Sequence, residues 1–237
     1  MTNVVTRVER ALCHRWNVLK FHAAPLLGRK SRYGIAAGYH HREQPSYFDD
    51  TKLNEQWQWE VYLAARSLMR EHALETVCDV GCGSGYKLVN LLGQFETVGI
   101  DLPETIAKVR RKYPDRQWLA RSLEELRLPK YDLVICADVI EHVSNPDALM
   151  HFITAIADKW IIMSTPAREV FYSKKSHYQL GPPSNAAHLR EWTMKEFRSY
   201  VSRFMHVRHH QITNPQQGTQ MVVGTNTIQG SESGLDG

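Results

Sequence analysis

The sequence predicts an α/β protein: a doubly wound, mostly parallel sheet of seven strands with an antiparallel hairpin at its edge, plus a helical cap at the N-terminal end. From Thr76 onward, short β-rich runs alternate with helical stretches. The run from Leu133 to Cys136 contains only apolar residues, which is typical of a strand buried on both faces of a parallel sheet. Strands and helices that alternate around such a strand indicate this architecture.

Two helices are predicted ahead of the sheet. Apolar residues recur at helical spacing over residues 4–20, and again from Thr51 to about Glu71, with Asp50 or Thr51 as the N-cap of the second helix. The apolar stripe of the second helix consists of Leu53, Trp57, Val61, Ala64 and Leu68. Residues 1–72 are therefore predicted to form an arm and a helical cap.

The sheet itself is assigned to residues 73–226. Its predicted strands are 76–80, 97–101, 117–120, 131–137, 160–164, 206–212 and 220–225. Its predicted helices are 86–92, 104–113, 146–157 and 194–201, the last capped by Thr193. No helix separates the final two strands, so we expect them to pair as an antiparallel hairpin.

Two further segments have no regular pattern. Residues 165–190 hold Pro166, Gly181, Pro182 and Pro183. An irregular stretch of this length in a compact domain is usually functional, so we expect a lid loop over a ligand. The Gly- and Ser-rich residues 227–237 are expected to form a disordered tail.

The composition of the 237 residues, 43% hydrophobic and 23% charged, is that of a chain with a packed core. It excludes collagen-like and wholly disordered proteins. No stretch approaches the roughly 18 uninterrupted apolar residues that a helix needs to span a bilayer. The four cysteines form no paired framework, so we expect a reducing, cytoplasmic location.

Positive charge is concentrated at the N-terminal end. Residues 1–42 contain eight Lys and Arg and one Glu, a net charge of +7, whereas the whole chain carries +4. Such a basic arm can contact an anionic substrate, a nucleic acid or a membrane surface, or it can be a solvated extension with docking helices. The sequence leaves these alternatives open.

The motif that carries the chemistry is VCDVGCGSGY at residues 77–86, where the first strand of the sheet meets its first helix. The glycines Gly81, Gly83 and Gly85 suit a sharp turn that a ligand can touch, because a Cβ would clash there. Asp101 follows Gly81 by twenty positions and closes the second strand. A carboxylate at this place can accept hydrogen bonds from the hydroxyls of a ribose.

Asp79 indicates which nucleoside the turn binds. A pyrophosphate dinucleotide requires the spacing G-x-G-x-x-G, but Tyr86 stands at the third glycine position. Asp79 also places negative charge beside the turn, and a carboxylate repels a phosphate and attracts a cation. The expected cofactor is therefore S-adenosyl-L-methionine, an adenosine derivative with positive charge and no phosphate.

Residues 76–165 resemble the class I S-adenosyl-L-methionine-dependent methyltransferases, which have a Rossmann-like fold. The resemblance is to their small-molecule branch, through D-V-G-C-G-x-G at residues 79–85 and E-H-V at residues 141–143. It implies a set of cofactor-binding residues along the strand ends. These are Asp79, Gly81, Cys82, Gly83 and Gly85 around the methionine, Asp101 on the ribose, Leu102 on the adenine face, and Ala137 and Asp138 beside the methionine.

The adenine end departs from the family pattern. The family often has Gly-Asp-Ala after the third strand, whereas this chain has Arg121, Ser122 and Leu123. Ser122 thus replaces the Asp that takes the adenine amino group. The backbone N–H of Leu123 is left as a second contact to adenine.

His142 and His188 are the candidate catalytic residues. An oxygen acceptor has to lose a proton during methyl transfer, and a histidine with a pKa near 6.5 suits this role, although either histidine could instead be structural. Asp138, Glu141 and His142 also stand at the i, i+3, i+4 spacing that could hold a divalent cation, and some quinone-biosynthesis methyltransferases resemble this pattern. We nevertheless predict no metal.

The resemblance implies an enzyme that transfers a methyl group from S-adenosyl-L-methionine to an oxygen or nitrogen of a small molecule, such as a sugar, a glycan or a secondary metabolite. A built-in cap favours a small acceptor over a flat macromolecular surface. Two alternatives stay open. One is an RNA methyltransferase that uses the basic arm, and the other is a non-catalytic cofactor-binding partner subunit.

Overall fold

The structure is a computed structural model, and it describes residues 32–46, 57–120 and 128–226. The helix predicted over residues 4–20, the N-cap predicted at Asp50 or Thr51 and the predicted tail 227–237 lie outside these residues. Among the helices of the three described ranges, none has the length and apolar character needed to cross a lipid bilayer.

Seven strands form one sheet in the order β3-β2-β1-β4-β5-β7-β6. The strands are β1 (Thr76–Val80), β2 (Glu96–Asp101), β3 (Gln117–Ala120), β4 (Tyr131–Ala137), β5 (Ala157–Pro166), β6 (Met205–Asn214) and β7 (Thr219–Asn226). The first five pair in parallel, and β7 pairs antiparallel with both β5 and β6. The predicted fold class is confirmed, including the antiparallel hairpin at the edge.

Six helices accompany the sheet in the described residues. They are α1 (Trp59–Glu71), α2 (Tyr86–Leu92), α3 (Pro103–Lys112), α4 (Pro146–Ile156), α5 (Arg168–Phe171) and α6 (Met194–Val201), with 3-10 turns at Arg32–Gly34 and His177–Leu180. Helices α1, α2 and α3 cover one face of the sheet, and α4 and α6 cover the other. The reason lies in β4, where Leu133 and Ile135 point into one apolar core and Val134 and Cys136 into the other.

Helix α1 differs from its prediction in its buried face. The expected stripe ran through Val61, Ala64 and Leu68, but the buried residues are Val61, Tyr62, Ala65 and Met69. The helix is rotated so that Tyr62, rather than Ala64, faces the sheet. The rotation allows the hydroxyl of this tyrosine to reach a buried carboxylate of β1, as described below. Trp57 precedes the helix in a bend and is 42% exposed.

The stretch predicted to be irregular, residues 165–190, contains short helical structure. Helix α5 and the turn His177–Leu180 are each four residues long, too short to give a periodic apolar pattern. The neighbouring strand β5 extends from Ala157 to Pro166, beyond the predicted residues 160–164. Its extra residues pair with β4 at one end and with β7 at the other.

Residues 33–39 belong to the core of the sheet. Tyr33, Ile35 and Tyr39 are at most 7% exposed and lie in the same apolar cluster as Trp192. The indole N–H of Trp192 donates a 3.0 Å hydrogen bond to the carbonyl of Tyr33. This part of the N-terminal region therefore packs with the C-terminal half of the chain, while the boundary at residue 72 stays a prediction.

Candidate functional site

A cavity of about 850 Å³ opens at the carboxyl ends of the parallel strands. This is where ligands bind in open α/β sheets, at the point where the strand order reverses between β1 and β4. The segments that line it are the glycine turn after β1, the ends of β2 and β4, and the loop from Ser184 to Glu191. Its volume falls in the range that holds a cofactor together with a small substrate.

The glycine turn is held against the end of β2. The N–H groups of Gly81 and Cys82 both donate to the carbonyl of Ile100, at 2.8 and 3.1 Å. Gly81 has a φ of +80°, and a Cβ on it would overlap the side chain of Val139. A side chain at this position would therefore both strain the backbone and close the turn.

Asp101 lies on the cavity wall with both oxygens oriented by the backbone. The N–H of Gly83 donates to its Oδ2 at 2.9 Å, and the N–H of Leu102 donates to its Oδ1 at 2.7 Å. Burial raises the pKa of this carboxyl, and the two N–H donors oppose that effect. The hydroxyl of Thr105 also donates to this carboxyl, so of the about four acceptor positions of a carboxylate one remains for a ribose hydroxyl. Leu102, 51% exposed, lies beside it on the cavity lining.

Asp79 lies behind the turn rather than on the cavity surface. It is 0% exposed, and its Oδ2 accepts a 2.8 Å hydrogen bond from the hydroxyl of Tyr62. The other predicted cofactor residues divide in the same way. The cavity is lined by Gly81, Asp101, Leu102, Ala137 and Asp138. Asp79 lies behind it on β1, and Cys82, Gly83 and Gly85 lie behind it in the turn. Ser122 and Leu123 lie outside the described residues.

Asp138 is positioned where β4 ends. Its backbone has a φ of +52°, unusual for a residue other than glycine. Its Oδ1 accepts a 2.6 Å hydrogen bond from the hydroxyl of Ser164, and its N–H donates to the carbonyl of the same residue. Burial raises the pKa of this carboxyl. The strand end thus turns Asp138 onto the cavity wall and fixes it there.

The structure brings the two predicted catalytic histidines together. The rings of His142 and His188 are 4.8 Å apart and nearly perpendicular, and both line the cavity. Nδ1 of His142 lies 3.0 Å from the carbonyl of Ala187, which can only accept, so this nitrogen carries the proton. Burial lowers the pKa of His142 to about 4. At neutral pH His142 is therefore uncharged, with its Nε2 lone pair available.

His188 is oriented by two polar neighbours. Nδ1 of His188 lies 2.6 Å from Oε1 of Glu191, and its Nε2 lies 2.9 Å from Nδ2 of Asn185. The Oδ1 of Asn185 already accepts from the N–H of Ala187, so its amide nitrogen donates to Nε2. The proton of the neutral ring is therefore on Nδ1, shared with Glu191. Nε2 keeps the lone pair.

Sequence reasoning missed Glu191, which also lines the cavity and is 1% exposed. Its Oε1 is approached by the hydroxyl of Tyr172 at 3.3 Å as well as by His188. The sequence feature that could have identified Glu191 is its position three residues after His188. That spacing does not by itself predict a hydrogen bond, because the two side chains meet only in the loop conformation that the structure shows.

Arg42 was also missed. Its guanidinium donates to the carbonyls of His188 at 3.2 Å and Pro183 at 2.5 Å, and its N–H donates to the carbonyl of Leu189 at 2.8 Å. The N–H of Ser46 adds a bond to the carbonyl of Ala186 at 2.9 Å. Arg42 and Ser46 thus hydrogen-bond to the backbone of the loop that carries His188, and these bonds hold the loop in its conformation.

Glu141 completes a cluster that could hold a divalent cation. Its Oε2 accepts a 3.0 Å hydrogen bond from Thr165, while its Oε1 is buried with no hydrogen-bond partner. One ligand atom each from Glu141, His142 and His188 lies within 4.8 Å of the others. The cation set considered from the sequence was Asp138, Glu141 and His142. In the structure His188 joins Glu141 and His142, and Asp138 is bonded to Ser164.

The charges on the cavity wall favour a cationic ligand. The carboxylates that line it are Asp101, Asp138, Glu141 and Glu191. Burial, together with the charge of Asp138, raises the pKa of Glu141 well above its usual range and so favours its neutral form. The negative charge of the wall is therefore assigned to the other three carboxylates. Such a wall attracts a sulfonium and repels a pyrophosphate. The residues present therefore fit S-adenosyl-L-methionine, as the sequence predicted.

Comparison with known proteins agrees with this chemistry. Residues 39–221 match the model of a methyltransferase domain family. Ubiquinone biosynthesis O-methyltransferase of Rickettsia bellii (strain OSU 85-389) is 33% identical over 138 residues, which are 54% of this chain and 55% of that protein. The Bordetella parapertussis protein of the same name is 31% identical over 100 residues, 38% of this chain and 42% of its own length. The chain thus spans about half the length of the curated relatives it matches.

Solved structures share the fold. Magnesium protoporphyrin IX methyltransferase from Synechocystis PCC 6803, with bound SAH, superposes with a TM-score of 0.58 at 18% identity and covers 72% of this chain and 84% of its own. A SAM-dependent methyltransferase from Aquifex aeolicus gives 0.57 at 18% identity, over 76% of this chain and all of its own. The family match, the sheet order and the acidic cavity agree. The chain belongs to the class I methyltransferases that use S-adenosyl-L-methionine as cofactor.

Proposed function

We propose that this chain transfers a methyl group from S-adenosyl-L-methionine to a hydroxyl oxygen of a small molecule. The observation that carries the proposal is the hydrogen bond between His188 and Glu191 on the wall of the cavity. A histidine backed by a carboxylate is suited to take a proton from a hydroxyl. The partial relatives named as O-methyltransferases support oxygen over nitrogen as the acceptor atom.

The proton leaves the acceptor toward His188. When bound, S-adenosyl-L-methionine supplies a methyl group that its positive sulfur already activates. Nε2 of His188 exchanges its bond with Asn185 for the acceptor hydroxyl and takes the proton as the new C–O bond forms. Glu191 stabilises the imidazolium that results. His142, neutral and fixed by the carbonyl of Ala187, packs edge-on against the ring of His188 and holds that ring in place.

The outer part of the cavity indicates the shape of the acceptor. Trp57 and Phe171 line it and are 42% and 51% exposed. Aromatic side chains of this kind offer a flat apolar surface to a ring. This surface suits a hydroxylated ring compound such as a sugar, a glycan unit or a secondary metabolite.

The cluster of Glu141, His142 and His188 allows a second way to handle the hydroxyl. Each histidine has its Nδ1 bonded to a protein oxygen, which is the usual arrangement of metal-binding histidines. The Nε2 lone pair of His142 is available, and that of His188 becomes available when its bond with Asn185 is given up. A divalent cation held there would supply Lewis acidity to the acceptor oxygen. Assays after dialysis against a chelator separate the two mechanisms. Direct proton transfer to His188 predicts unchanged turnover, whereas a cation predicts loss that added Mg²⁺, Mn²⁺ or Zn²⁺ restores.

Acceptor class is tested by measuring S-adenosylhomocysteine release with hydroxylated ring compounds, amino sugars and tRNA. We expect turnover with hydroxylated compounds. Turnover with tRNA alone, falling steeply with salt, would establish an RNA methyltransferase. Release with none of them, despite cofactor binding, would favour a non-catalytic partner subunit.

The roles of the histidines are tested with the acceptor so identified. The double variant His142→Ala, His188→Ala should lose at least about 100-fold in kcat, since positioned proton transfer contributes about 10²–10⁴-fold. Its affinity for S-adenosyl-L-methionine should change less than about threefold. His206→Ala, an exposed histidine on β6, is the matched control. A loss of less than about tenfold in the double variant rejects both roles.

A further inference from the structure

One hydroxyl group joins the two ends of the loop that carries His188. It belongs to Tyr172, which directly follows α5 and is 7% exposed. The hydroxyl accepts a 3.0 Å hydrogen bond from the N–H of Ser184, the first residue of the loop. It also lies 3.3 Å from Oε1 of Glu191, the last residue of the loop. The proposed mechanism gives Tyr172 no role.

The proton of this hydroxyl is directed to Glu191. Burial and the charge of Glu191 raise the pKa of Tyr172 to about 12, so the phenol keeps its proton at neutral pH. A carboxylate oxygen can only accept, and the phenol therefore donates to it. The hydroxyl of Ser184 lies 2.9 Å from the phenol oxygen and can rotate to donate to it. In this arrangement the phenol accepts twice from Ser184 and donates once to Glu191.

The carboxylate of Glu191 depends on this donor for its position. The backbone of Glu191 is fixed, because its N–H donates to the hydroxyl of Tyr39 at 3.0 Å and its carbonyl accepts from Arg168 at 2.8 Å. In the side chain, Oε2 is buried and has no hydrogen-bond partner in the described parts of the chain. Oε1 is contacted by Tyr172 and by His188. Within the described residues, Tyr172 is therefore the donor that holds this carboxylate independently of His188.

The ring of Tyr172 is itself held in place. Its centroid lies 5.0 Å from that of Phe171 and 5.2 Å from that of Tyr178. The side-chain amide of Gln179 donates to the carbonyl of Tyr172 at 2.9 Å. A fixed ring and a fixed backbone give the hydroxyl one position, and this is what an orienting contact requires.

We infer that Tyr172 is a positioning residue that orients the pair of Glu191 and His188. By donating to Oε1 it keeps Glu191 on Nδ1 of His188, and the Nε2 of that ring stays directed into the cavity. Tyr172 lies behind the described lining of the cavity, so it acts through Glu191 and does not touch the acceptor. The inference rests on the proposed function, in which this pair takes the proton of the acceptor.

A double-variant cycle separates this role from a structural one. The kcat is measured for the unaltered protein, for Tyr172→Phe, for His188→Ala and for the two changes combined, with the acceptor identified above. Tyr172→Phe should lower kcat about tenfold in the unaltered protein, the effect of losing a hydrogen bond to a charged group. In the His188→Ala background the loss should be less than about twofold, because the ring through which Tyr172 acts is absent.

The KM for S-adenosyl-L-methionine should change less than about twofold in Tyr172→Phe, since the contact concerns proton transfer and not cofactor binding. Tyr178→Phe, which removes the hydroxyl of the ring beside Tyr172, is the matched control. Equal losses of kcat in both backgrounds would overturn the inference, because Tyr172 would then act on the fold as a whole. An unchanged kcat in Tyr172→Phe, with a large loss in His188→Ala, would overturn it as well.

A second measurement does not depend on turnover. Nitrogen NMR spectra of the histidine rings distinguish protonation at Nδ1 from protonation at Nε2, and the signals missing from His188→Ala identify His188. Tyr172→Phe should raise the population of the His188 ring that is protonated at Nε2, because Glu191 is released from Nδ1. If His188→Ala keeps full turnover, the proposed function loses its base. An altered ring in Tyr172→Phe then still supports the orienting contact, and an unaltered ring overturns it.

Thermal unfolding of Tyr172→Phe without ligands identifies a folding defect. In that case both the kinetic cycle and the spectra are measured at a lower temperature at which the variant is folded. The readout stays the ratio of the two losses of kcat.

Discussion

The hydroxyl of Tyr62 on α1 donates a 2.8 Å hydrogen bond to Oδ2 of Asp79 on β1, and both residues are at most 2% exposed. This bond joins the first helix of the fold to the acid that precedes the glycine turn. The electrostatic character that the sequence assigns to Asp79 therefore depends on a helix that was expected to form part of the cap.

Tyr62→Phe should destabilise the protein by about 1–3 kcal/mol, because it leaves a buried carboxylate oxygen without this donor. We expect cofactor affinity to fall severalfold as well, since Asp79 stands two residues before Gly81, the first glycine of the turn. Urea denaturation and calorimetry measure the two effects. Tyr113→Phe, a partly exposed tyrosine after α3, should change neither. Unchanged stability of Tyr62→Phe would mean that the hydroxyl contributes nothing net.

Asp101→Ala should weaken binding of S-adenosyl-L-methionine by about 10- to 100-fold, because a charge-assisted hydrogen bond to the ribose is lost. Calorimetric titration measures the change. Glu104→Gln, an exposed carboxylate in the first turn of α3, serves as control. Tight binding of a pyrophosphate dinucleotide by the unaltered protein, with none of S-adenosyl-L-methionine, would contradict the role of Asp101 and the assignment of the cavity.

Arg42→Ala should lower kcat by about tenfold or more while leaving the affinity for the cofactor within about twofold. The substitution removes two donors to the carbonyls of Pro183 and His188, so the loop that holds His188 loses its fixed shape. Steady-state kinetics and calorimetry separate the two readouts. Arg111→Ala, an exposed arginine on α3, is the matched control. An equal fall in cofactor affinity would point instead to a general loss of structure.

His41 should make the protein sensitive to acid. Burial, reinforced by the nearby charges of Arg190 and Arg168, lowers its pKa to about 4 from 6.5. Between these values the unfolded chain binds a proton that the folded one does not, so stability falls as pH falls from 6.5 toward 4. The loss attributable to His41 at pH 5 is about 1–2 kcal/mol.

Urea denaturation at pH 7.5 and pH 5 checks this. His41→Gln should lose less stability on acidification than the unaltered protein, by the amount just given. His209→Gln, exposed on β6, should lose as much as the unaltered protein. Equal losses in His41→Gln and the unaltered protein would show that His41 titrates normally in the fold.

The sheet was predictable because a buried parallel strand is recognised from an unbroken apolar run within its own few residues. The bounds of β1, β3 and β4 and of α2 and α6 agree with their predictions. In each of these elements the apolar run, the glycine or the capping threonine lies within the strand or helix, or directly beside the end that it predicts. The cavity residues Asp101, Asp138, His142 and His188 could be found for the same reason, since each stands in or beside a motif.

The rest depended on contacts between distant parts of the chain. Arg42 and His188 are 146 positions apart, and no local pattern relates them. Glu191 acquires its role from the loop conformation that Arg42 maintains. The buried face of α1 was predicted from the spacing of its apolar residues alone. In the structure Tyr62 is buried as well, and its hydroxyl bonds to a carboxylate on β1.

Strand β7 lies between β5 and β6, although it is the last of the described strands to be synthesised. Until Thr219–Asn226 has been synthesised, the edge of β5 from Trp160 to Pro166 lacks its neighbour in the described sheet. Nascent or prematurely terminated chains would therefore expose an apolar strand edge that can pair with other molecules. The described hairpin of β6 and β7 is therefore the element that covers this edge of β5.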